Sequence, residues 1–384
     1  MINVRDTGAL GDGVADDAPA IQAAFDEGGW VYVPDGTYRL ASLPLRTKGR
    51  ARLTLSPGAT LLRAAPEIML TNTPLVTSDG GYGGPGGILI EGGVWDVNGV
   101  AQPEYSAAFA FGHGEDITLR DLTVLDTPGW HAAEFNACKD VKVRDSRFAG
   151  FVHDGDRGFS EAIQLDAMTS AAAYPLGGPY DSTPCWNVSV KGCWFGGSGT
   201  PGSQAWPRGI GSHNGGSGPH SGIDLVGNRF EGVTDAAIRS YEWANATITG
   251  NRVGSSGGEG IVARDGSYYI DILGNQVFDS GRTGIWVSHN CGQISIRENT
   301  VVGSGKSVND THYGIRASDN CDLLAITGNR VRRRATGPHA KYGLSLTNTC
   351  THVQRYGNDL RVSGVSGNLQ DESVSPIANG VDAA

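Results

Sequence analysis

The chain has 384 residues, of which 58 are glycine and 18% are charged, and its formal net charge is −10. This composition is typical of a turn-rich globular β protein, and the net charge argues against nucleic acid or an anionic membrane as the main partner. No apolar run is long enough to span a membrane, and the six cysteines show no CxxC spacing. We therefore predict no membrane span, no metal site and no cofactor.

The first 40 residues predict a short helix followed by a strand. Asp16 or Asp17 is placed as the N-cap, residues 18–27 have an amphipathic pattern, and Gly28 follows as the stop signal. The apolar alternation at 30–33 and the Pro-Asp-Gly turn at 34–36 indicate a strand and its end. We expect the helix at 18–27 to cap the open apolar end of a stack of coils.

Two segments of this opening resemble a known family. The runs DTGALGDGVADDAPAIQAAFD and VYVPDGTY are similar to the start of the pectate-lyase-superfamily β-helix proteins, which include many phage tailspikes and depolymerases. The resemblance implies an all-β fold, a single-stranded right-handed parallel β-helix, and activity on a polysaccharide. The resemblance to tailspikes also implies a homotrimer.

One short phrase recurs six times between Gly209 and Gly364. It holds two alternating apolar runs and an asparagine-marked turn, at Asn228, Asn251, Asn275, Asn299, Asn329 and Asn358. The spacings are 23, 24, 24, 30 and 29 residues. A repeat of this length without helical periodicity predicts one turn of a parallel β-helix. We therefore predict coils over 41–364, a buried ladder of these asparagines, and a polar tail over 365–384.

Long insertions interrupt the interval in the middle of the chain. The spacing between equivalent strand positions is 24 residues from Asp121 to Asp145, 47 from Asp145 to Gly192, and 35 from Gly192 to Gly227. The excess lies at 153–159, 167–184 and 196–207. Because coils do not need these residues to stack, we predict that the loops over 153–207 form the walls of a cleft. Loops that only shield the coils or form an oligomer contact are the alternative.

The repeat register predicts which side chains point outward beneath these loops. Two columns result: Glu134, Gln164, Gly211, Arg239, Val262 and Trp286, and Asn136, Asp166, His213, Tyr241, Arg264 and Ser288. Consecutive coils thus present an acid, an acid, a histidine and an arginine. We predict these residues as substrate contacts: Asn136, Gln164, Arg239, Tyr241 and Arg264 from the columns, and Trp206, Asp154 and Asp156 from the loops.

Paired carboxyl groups suit glycoside hydrolysis, in which one protonates the leaving oxygen and the other acts as base or nucleophile. Glu134 and Asp166 differ by one coil and two residues, which predicts Cα atoms about 8 Å apart. This separation favours an inverting mechanism, whose carboxyl groups lie roughly 6.5–9.5 Å apart. Glu161 is an alternative partner for Asp166, as are the two loop aspartates. We expect His213 to tune an acid or hold a hydroxyl, and Arg239 to bind a sugar carboxylate or phosphate.

The order of these columns also resembles the polygalacturonases, and LTVLDTPGWHAAEF at 122–135 is similar to the strand and turn before their active site. Two features depart from that family. EAIQLD at 161–166 stands in the place of paired aspartates, and the segment 239–241 lacks a lysine. A relative with another glycan substrate is therefore the expectation.

These observations favour a polysaccharide-degrading glycoside hydrolase, and the resemblance to tailspikes implies that a phage depolymerase is one form it can take. A lyase or C5-epimerase acting on uronic acids is one alternative, with Arg239, Arg264, Tyr241 and His213 as its groups. A non-catalytic glycan-binding spike is another. The start of the chain has no hydrophobic signal segment, which fits a virion protein, and we expect an extracellular or virion-associated location.

Overall fold

The computed structural model describes residues 1–153, 155–213 and 215–383. Its contacts divide the chain into two compact units. The first comprises Met1–Trp206 and His213–His220, and the second comprises Pro207–Ser212 and Ser221–Ala384.

The first unit contains the helix α1 (Ala18–Glu27), a 3₁₀ turn at Thr77–Asp79 and a series of short strands. In chain order the strands are β1 (Ile2–Asn3), β2 (Asp12–Asp16), β3 (Gly29–Val33), β4 (Gly36–Leu40), β5 (Leu45–Arg46), β6 (Ala51–Leu55), β7 (Ala59–Arg63), β8 (Leu70–Thr71), β9 (Ile88–Glu91), β10 (Val94–Asp96), β11 (Phe109–Gly112), β12 (Glu115–Arg120), β13 (Thr123–Pro128), β14 (Ala133–Asn136), β15 (Lys139–Arg144), β16 (Arg147–Val152), β17 (Glu161–Asp166), β18 (Trp186–Lys191) and β19 (Trp194–Gly196).

The second unit continues the series with strands of similar length. They are β20 (Arg208–Ser212), β21 (His220–Val226), β22 (Arg229–Glu231), β23 (Ile238–Tyr241), β24 (Trp243–Thr249), β25 (Arg252–Gly254), β26 (Ile261–Arg264), β27 (Tyr268–Leu273), β28 (Gln276–Phe278), β29 (Ile285–Val287), β30 (Gly292–Arg297), β31 (Thr300–Val302), β32 (Tyr313–Ala317), β33 (Ala325–Thr327), β34 (Arg330–Arg332), β35 (Tyr342–Leu346), β36 (Gln354–Tyr356), β37 (Gly367–Asp371) and β38 (Ala378–Asn379). The last two strands lie in the predicted polar tail and pair in parallel with β35 and β36.

Each unit is a parallel β-helix in which successive coils add one strand to each of three sheets. In the first unit, sheet I has the order β1-β3-β6-β9-β12-β15-β18, sheet II has the order β2-β4-β7-β10-β13-β16-β19, and sheet III has the order β5-β8-β11-β14-β17. In the second unit, sheet I runs β21-β24-β27-β30-β33-β36-β38, sheet II runs β22-β25-β28-β31-β34, and sheet III runs β20-β23-β26-β29-β32-β35-β37. The predicted all-β parallel fold is confirmed.

The core follows from the two-residue alternation of the strands. Ile270 and Ile272 of β27 pair with Ile294 and Ile296 of β30, and all four are at most 1% exposed. The residues between them, such as Asp271, point outward and are partly exposed. Stacking equivalent positions therefore extends one apolar interior along each unit.

The predicted asparagine ladder is present in the second unit. The Asn251 Nδ2 atom donates to Asn275 Oδ1 at 3.0 Å and to the carbonyl oxygen of Leu225 at 3.0 Å. Asn275, Asn299 and Asn329 repeat this pair of bonds, each donating to the asparagine Oδ1 of the next coil and to a carbonyl oxygen of the preceding coil. Each side-chain amide thus satisfies buried polar groups on two coils, which is why this residue type recurs at the turn.

The helix occupies the predicted residues, and its start shows how the two candidate capping aspartates divide their roles. Asp16 Oδ1 accepts from the main-chain N of Ala18 at 3.2 Å, whereas Asp17 accepts from the main-chain N atoms of Leu10 and Gly11. The helix buries Ala18, Ile21 and Ala24. Among the described residues, no helix has the length and apolar character that crossing a bilayer requires.

Candidate functional site

The candidate site is a cavity of about 380 Å³ in the first unit, over the strands β14 and β17 of sheet III. Its lining combines carboxylates, histidines, an arginine and aromatic rings. The lining residues are Trp130, His131, Glu134, Arg157, Phe159, Asp166, Thr169, Ala172, Ala173 and His213.

Parallel pairing of β14 with β17 positions the two predicted carboxyl groups. Glu134 pairs with Gln164, and Asn136 pairs with Asp166, as the predicted columns require. One strand step and two residues along the strand separate the Cα atoms of Glu134 and Asp166 by about 8 Å. The surroundings differ from the expectation of exposed side chains, because Glu134 is only 2% and Asp166 only 7% exposed. The loops above the sheet cover both residues.

Glu134 is held by two side-chain donors. Trp130 Nε1 donates to Glu134 Oε2 at 2.6 Å, and Asn136 Nδ2 donates to Glu134 Oε1 at 2.9 Å. These bonds favour the carboxylate, but burial has the larger effect and raises the pKa of Glu134 to about 7. The nearby charge of Asp166 adds to the rise. A glutamic acid that keeps its proton near neutral pH is therefore available in the cavity.

Asp166 belongs to a polar chain that also contains Gln164, His213 and Glu161. Gln164 Nε2 lies 3.2 Å from Asp166 Oδ2 and 3.1 Å from His213 Nδ1. Because the amide nitrogen can only donate, His213 Nδ1 accepts and its Nε2 atom carries the proton of the neutral ring. That Nε2 atom lies 3.2 Å from Oε2 of the fully buried Glu161. Burial raises the pKa of Asp166 to about 6, and the hydrogen bond from Gln164 opposes the rise.

His131 forms the other side of the cavity. Its Nδ1 atom lies 2.9 Å from the main-chain oxygen of Glu161, and its Nε2 atom lies 3.5 Å from Nη2 of Arg157. Burial lowers the pKa of His131 to about 3, so the ring is neutral, with Nδ1 as donor and Nε2 as acceptor. The Arg157 guanidinium also lies 4.5 Å from the ring centroid of Trp130 and 5.2 Å from that of Phe159. A cation and two aromatic faces therefore border the carboxylates.

Two of the three predicted insertions line this cavity. Arg157 and Phe159 come from the loop at 153–159, and Thr169, Ala172 and Ala173 come from the loop at 167–184. The third insertion, at 196–207, packs elsewhere: the main chains of Phe151 and Gln204 form an antiparallel bridge. The predicted wall is thus built from the first two loops.

The loop at 167–184 is anchored at two places. Tyr174 and Met168 are fully buried against Ala110 and Ala137. Gly112 leaves room for this packing, because a Cβ atom there would lie 2.7 Å from Met168 Cε and 3.0 Å from Tyr174 Cε1.

The second anchor is the buried His113. Its Nδ1 atom lies 2.7 Å from the carbonyl oxygen of Gly81, and its Nε2 atom lies 2.7 Å from that of Pro179. The imidazole therefore connects the loop at 167–184 to the segment that follows the 3₁₀ turn.

The prediction that Trp206 contacts the substrate is wrong. Trp206 is 0% exposed, and its ring centroid lies 5.3 Å from that of Phe151. Folding of the third insertion back onto β16 buries this large apolar ring, so it stabilises the loop and is not available to a ligand.

Asn136 and Gln164 are also buried rather than exposed, both at 0%. Their amides bond to Glu134, Asp166 and His213, as described above, so they orient cavity groups and do not present a surface to a ligand. Asp156 is exposed and does not line the cavity, and Asp154 lies outside the described residues.

Three predicted substrate contacts belong to the second unit. Arg239 and Tyr241 lie on β23, where the guanidinium carbon is 5.1 Å from the tyrosine ring centroid and Nη1 donates to the main-chain oxygen of Ser212 at 3.1 Å. Tyr241 pairs with Arg264 of β26, which forms an ion pair with Asp265. The described lining of the cavity comes from the first unit alone.

Sequence reasoning missed the roles of His131 and Arg157. Both lie outside the repeating columns, His131 in the Gly-Trp-His turn just before β14 and Arg157 in an insertion. The turn's position directly upstream of the Glu134 strand is the signal that points to it. Among the described residues, no group of three or more histidine, cysteine, aspartate or glutamate side chains has a metal-binding arrangement.

Comparison with known families matches two parts of the chain. Residues 1–79 match the family described as rhamnogalacturonase A/epimerase, pectate lyase-like, and residues 186–360 match the right-handed β-helix region. Together with the parallel three-sheet coils, these matches confirm the predicted resemblance to pectate-lyase-like β-helix proteins.

Similar curated proteins have different functions. Plasmin and fibronectin-binding protein A of Streptococcus pneumoniae is 30% identical over 281 residues, which is 65% of this chain and 39% of that protein. Mannuronan C5-epimerase AlgE3 of Azotobacter vinelandii is 34% identical over 138 residues, which is 34% of this chain and 6% of the epimerase. The chain therefore spans well under half of each of these relatives.

Solved structures share the fold at low sequence identity. A crystal structure of PfbA, a surface adhesin of Streptococcus pneumoniae, has a TM-score of 0.79 and 22% identity, covering 96% of this chain and 91% of that one. The tailspike protein 3 of bacteriophage CBA120 has a TM-score of 0.61 and 14% identity, covering 97% and 61%. A Thermotoga maritima exopolygalacturonase has a TM-score of 0.60 and 13% identity, covering 93% and 91%.

Proposed function

We propose that this chain, a pectate-lyase-like right-handed parallel β-helix protein, is a polysaccharide-degrading glycoside hydrolase with its active site at Glu134 and Asp166. The observation that carries the proposal is the pair of nearly buried carboxyl groups on neighbouring strands of one cavity. Burial raises the pKa of Glu134 to about 7 and that of Asp166 to about 6. Two neighbouring carboxyl groups whose pKa values burial raises towards neutral suit the acid and base roles of such an enzyme.

In this mechanism Glu134 is the general acid and Asp166 is the general base. Glu134 gives its proton to the glycosidic oxygen as the bond to the anomeric carbon breaks. Asp166 takes a proton from a water molecule whose oxygen attacks the anomeric carbon from the opposite face, so the configuration inverts. Strand geometry puts the two Cα atoms about 8 Å apart, which is compatible with the roughly 6.5–9.5 Å between carboxyl groups that holds this water in inverting enzymes.

Asn136 is suited to accommodate the protonated form of Glu134. In the described structure its Nδ2 atom donates to Glu134, and its buried Oδ1 atom has no hydrogen-bond partner among the described residues. Rotation of the amide by half a turn would let Oδ1 accept from a protonated Glu134. Asn136 would then stabilise both protonation states of the acid during the cycle.

The remaining cavity groups orient the water and the sugar. Glu161 and His213 keep Asp166 in place through Gln164, and Glu161 remains the alternative partner of Asp166. Trp130 and Phe159 offer aromatic faces to a sugar ring, and Arg157 offers donors to its hydroxyl or carboxylate groups. Arg239, Tyr241, Arg264 and Asp156 stay proposed as more distant contacts with the polymer.

Product analysis on a panel of polysaccharides tests the proposal. Neutral glycans, polygalacturonate and alginate would be incubated with the wild type and with Glu134→Gln, and the ends and configuration of the products read by NMR. The hydrolase predicts saturated products with new reducing ends of inverted anomeric configuration. Retained configuration, or no cleavage of any glycan, would count against it.

A lyase or C5-epimerase acting on uronates is the second candidate. His131, His213 and Arg157 stand beside the carboxyl groups, and a cation that neutralises a uronate carboxylate together with a base would serve proton abstraction at C5. The similarity to mannuronan C5-epimerases supports this alternative. Unsaturated ends would identify a lyase, and a changed uronate composition without cleavage would identify an epimerase.

A non-catalytic glycan-binding surface protein is the third candidate, and the similarity to an adhesin supports it. Binding of a glycan without any chemical change would favour the adhesin-like function.

For each candidate we propose an extracellular or virion-associated location, a homotrimer, and a capping role for α1. Light scattering of the purified chain tests the trimer, and a monomeric mass would contradict it.

A further inference from the structure

A second and larger cavity lies in the same unit, where no residue has so far been given a role. Its volume is about 750 Å³. The lining residues are Pro44, Arg46, Pro66, Glu67, Ile68, Thr73, Pro74, Tyr105, Pro175 and Leu176. We call it the proline cavity. It adjoins β5 and β8, which belong to the same sheet III as the strands of Glu134 and Asp166.

One loop lines both cavities. Thr169, Ala172 and Ala173 of the loop at 167–184 face the candidate site, and Pro175 and Leu176, a few residues later, face the proline cavity. Tyr105 lines the proline cavity, and its ring centroid lies 6.0 Å from that of Trp130 in the candidate site. A ligand that follows this loop would pass from one cavity to the other across the two aromatic rings.

The chemistry of the proline cavity suits a sugar ring. Its walls are mainly proline and aliphatic side chains, and the Tyr105 ring, 43% exposed, can pack against the apolar face of a sugar. Arg46 and Glu67 are exposed lining residues; Arg46 supplies a cation for carboxylate or hydroxyl groups, and Glu67 supplies an acceptor for hydroxyl groups. A mainly apolar wall with a few polar groups is the usual make-up of a small-molecule subsite.

From this arrangement we infer that the proline cavity is a remote subsite for the same glycan chain whose reacting bond lies at Glu134 and Asp166. The order β5-β8-β11-β14-β17 contains four strand steps, which correspond to about 19 Å between the strand of Arg46 and that of Asp166. The ligand is therefore an oligosaccharide of several linked rings. The inference rests on the proposed function for the position of the reacting bond, and binding at the remote subsite can be measured without catalysis.

Calorimetry with oligosaccharides of defined length tests the inference. The probes are oligogalacturonates and oligomannuronates from dimer to octamer, together with oligomers of any polysaccharide that the panel finds to be cleaved. Asp166→Asn serves as the parent to prevent turnover. We expect its affinity to rise about tenfold between trimer and hexamer. The double variant carries Arg46→Ala and Glu67→Ala in addition to Asp166→Asn. It should bind the trimer as the parent does, but its affinity should no longer rise with oligomer length.

Arg144→Ala is the matched control, because Arg144 is an exposed arginine of the same unit on sheet I. The control should keep the length dependence of the parent. The same dependence in the double variant, a flat dependence in the parent, or no binding of any probe would overturn the remote subsite. If binding depends on length in the parent and the double variant abolishes that dependence, the remote subsite is supported. This holds even if the wild type cleaves no glycan, a result that would reject only the hydrolase. If the wild type cleaves a glycan but the affinity of the double variant rises with oligomer length as the parent's does, only the remote subsite would be rejected.

Discussion

Two regions of the molecule use buried polar side chains in different ways. In the second unit, asparagines at one turn make the same pair of hydrogen bonds from coil to coil, as Asn251, Asn275 and Asn299 do. In the cavity of the first unit, each polar side chain has its own set of neighbours, and the pKa values of Glu134 and Asp166 are raised by burial. A repeated, fully bonded arrangement stabilises the fold, whereas an irregular one with poorly solvated acids is suited to chemistry.

In the cavity of the first unit, we expect Asp166→Asn to have the largest effect on activity. If Asp166 is the general base, the variant should lose about 10²–10⁴-fold in kcat, since an amide cannot take up the proton. Its thermal unfolding should stay close to that of the wild type. Asp145→Asn, which changes an exposed aspartate at a turn of the same unit, is the control and should retain activity. Near-normal turnover by Asp166→Asn would move the base to another residue.

Trp206→Ala should have the largest effect on stability. The ring is fully buried against Phe151, and removal of a buried tryptophan costs roughly 3–5 kcal/mol. Trp186→Ala removes a ring that is 55% exposed and should cost much less. Denaturant unfolding of the two variants measures the difference, and equal midpoints would contradict the structural role given to Trp206.

Asn275→Leu breaks the ladder at one rung. The substitution removes the donor to Ile248 O and the acceptor of two bonds from Asn251, which should cost about 1–3 kcal/mol through unsatisfied buried neighbours. Gln276→Leu, at the adjacent exposed position on β28, is the matched control and should be nearly neutral. The free energies of unfolding of the two variants show whether stability depends on the buried asparagine ladder or only on the polarity of this segment.

The pH dependence of kcat/KM sharpens the roles of the two acids. Asp166 must be ionised to act as base, so activity should rise up to its pKa of about 6. Glu134 must be protonated to act as acid, so activity should fall above its pKa of about 7. Each limb should change about tenfold per pH unit. For a substrate whose leaving group needs no protonation, Glu134→Gln should keep the acidic limb and lose the basic one, and a persistent basic limb would reassign the acid.

The two regions also differ in what their sequence predicts. The asparagine spacing and the pairing of Glu134 with Gln164 follow from a period of known length, because a stacked strand must repeat its register. The contacts of His131 and Arg157 and the burial of Trp206 depend on how aperiodic insertions fold back onto the coils, and no local pattern encodes that path. The same insertions bury Glu134 and Asp166, so the repeat register alone does not predict that the pKa values of these two residues are raised.

The smallest expected effect concerns the loop that borders both cavities. His113 bridges the carbonyl oxygens of Gly81 and Pro179, so His113→Ala should leave two main-chain acceptors without this partner and loosen the loop at 167–184. The packing of Tyr174 and Met168 remains, and we therefore expect only a several-fold rise in the rate of limited proteolysis within 167–184, mapped by mass spectrometry. His352→Ala, which changes an exposed histidine paired with Asp322 in the second unit, should leave that rate unchanged. Equal cleavage in the wild type and His113→Ala would mean that Tyr174 and its neighbours are sufficient to hold the loop.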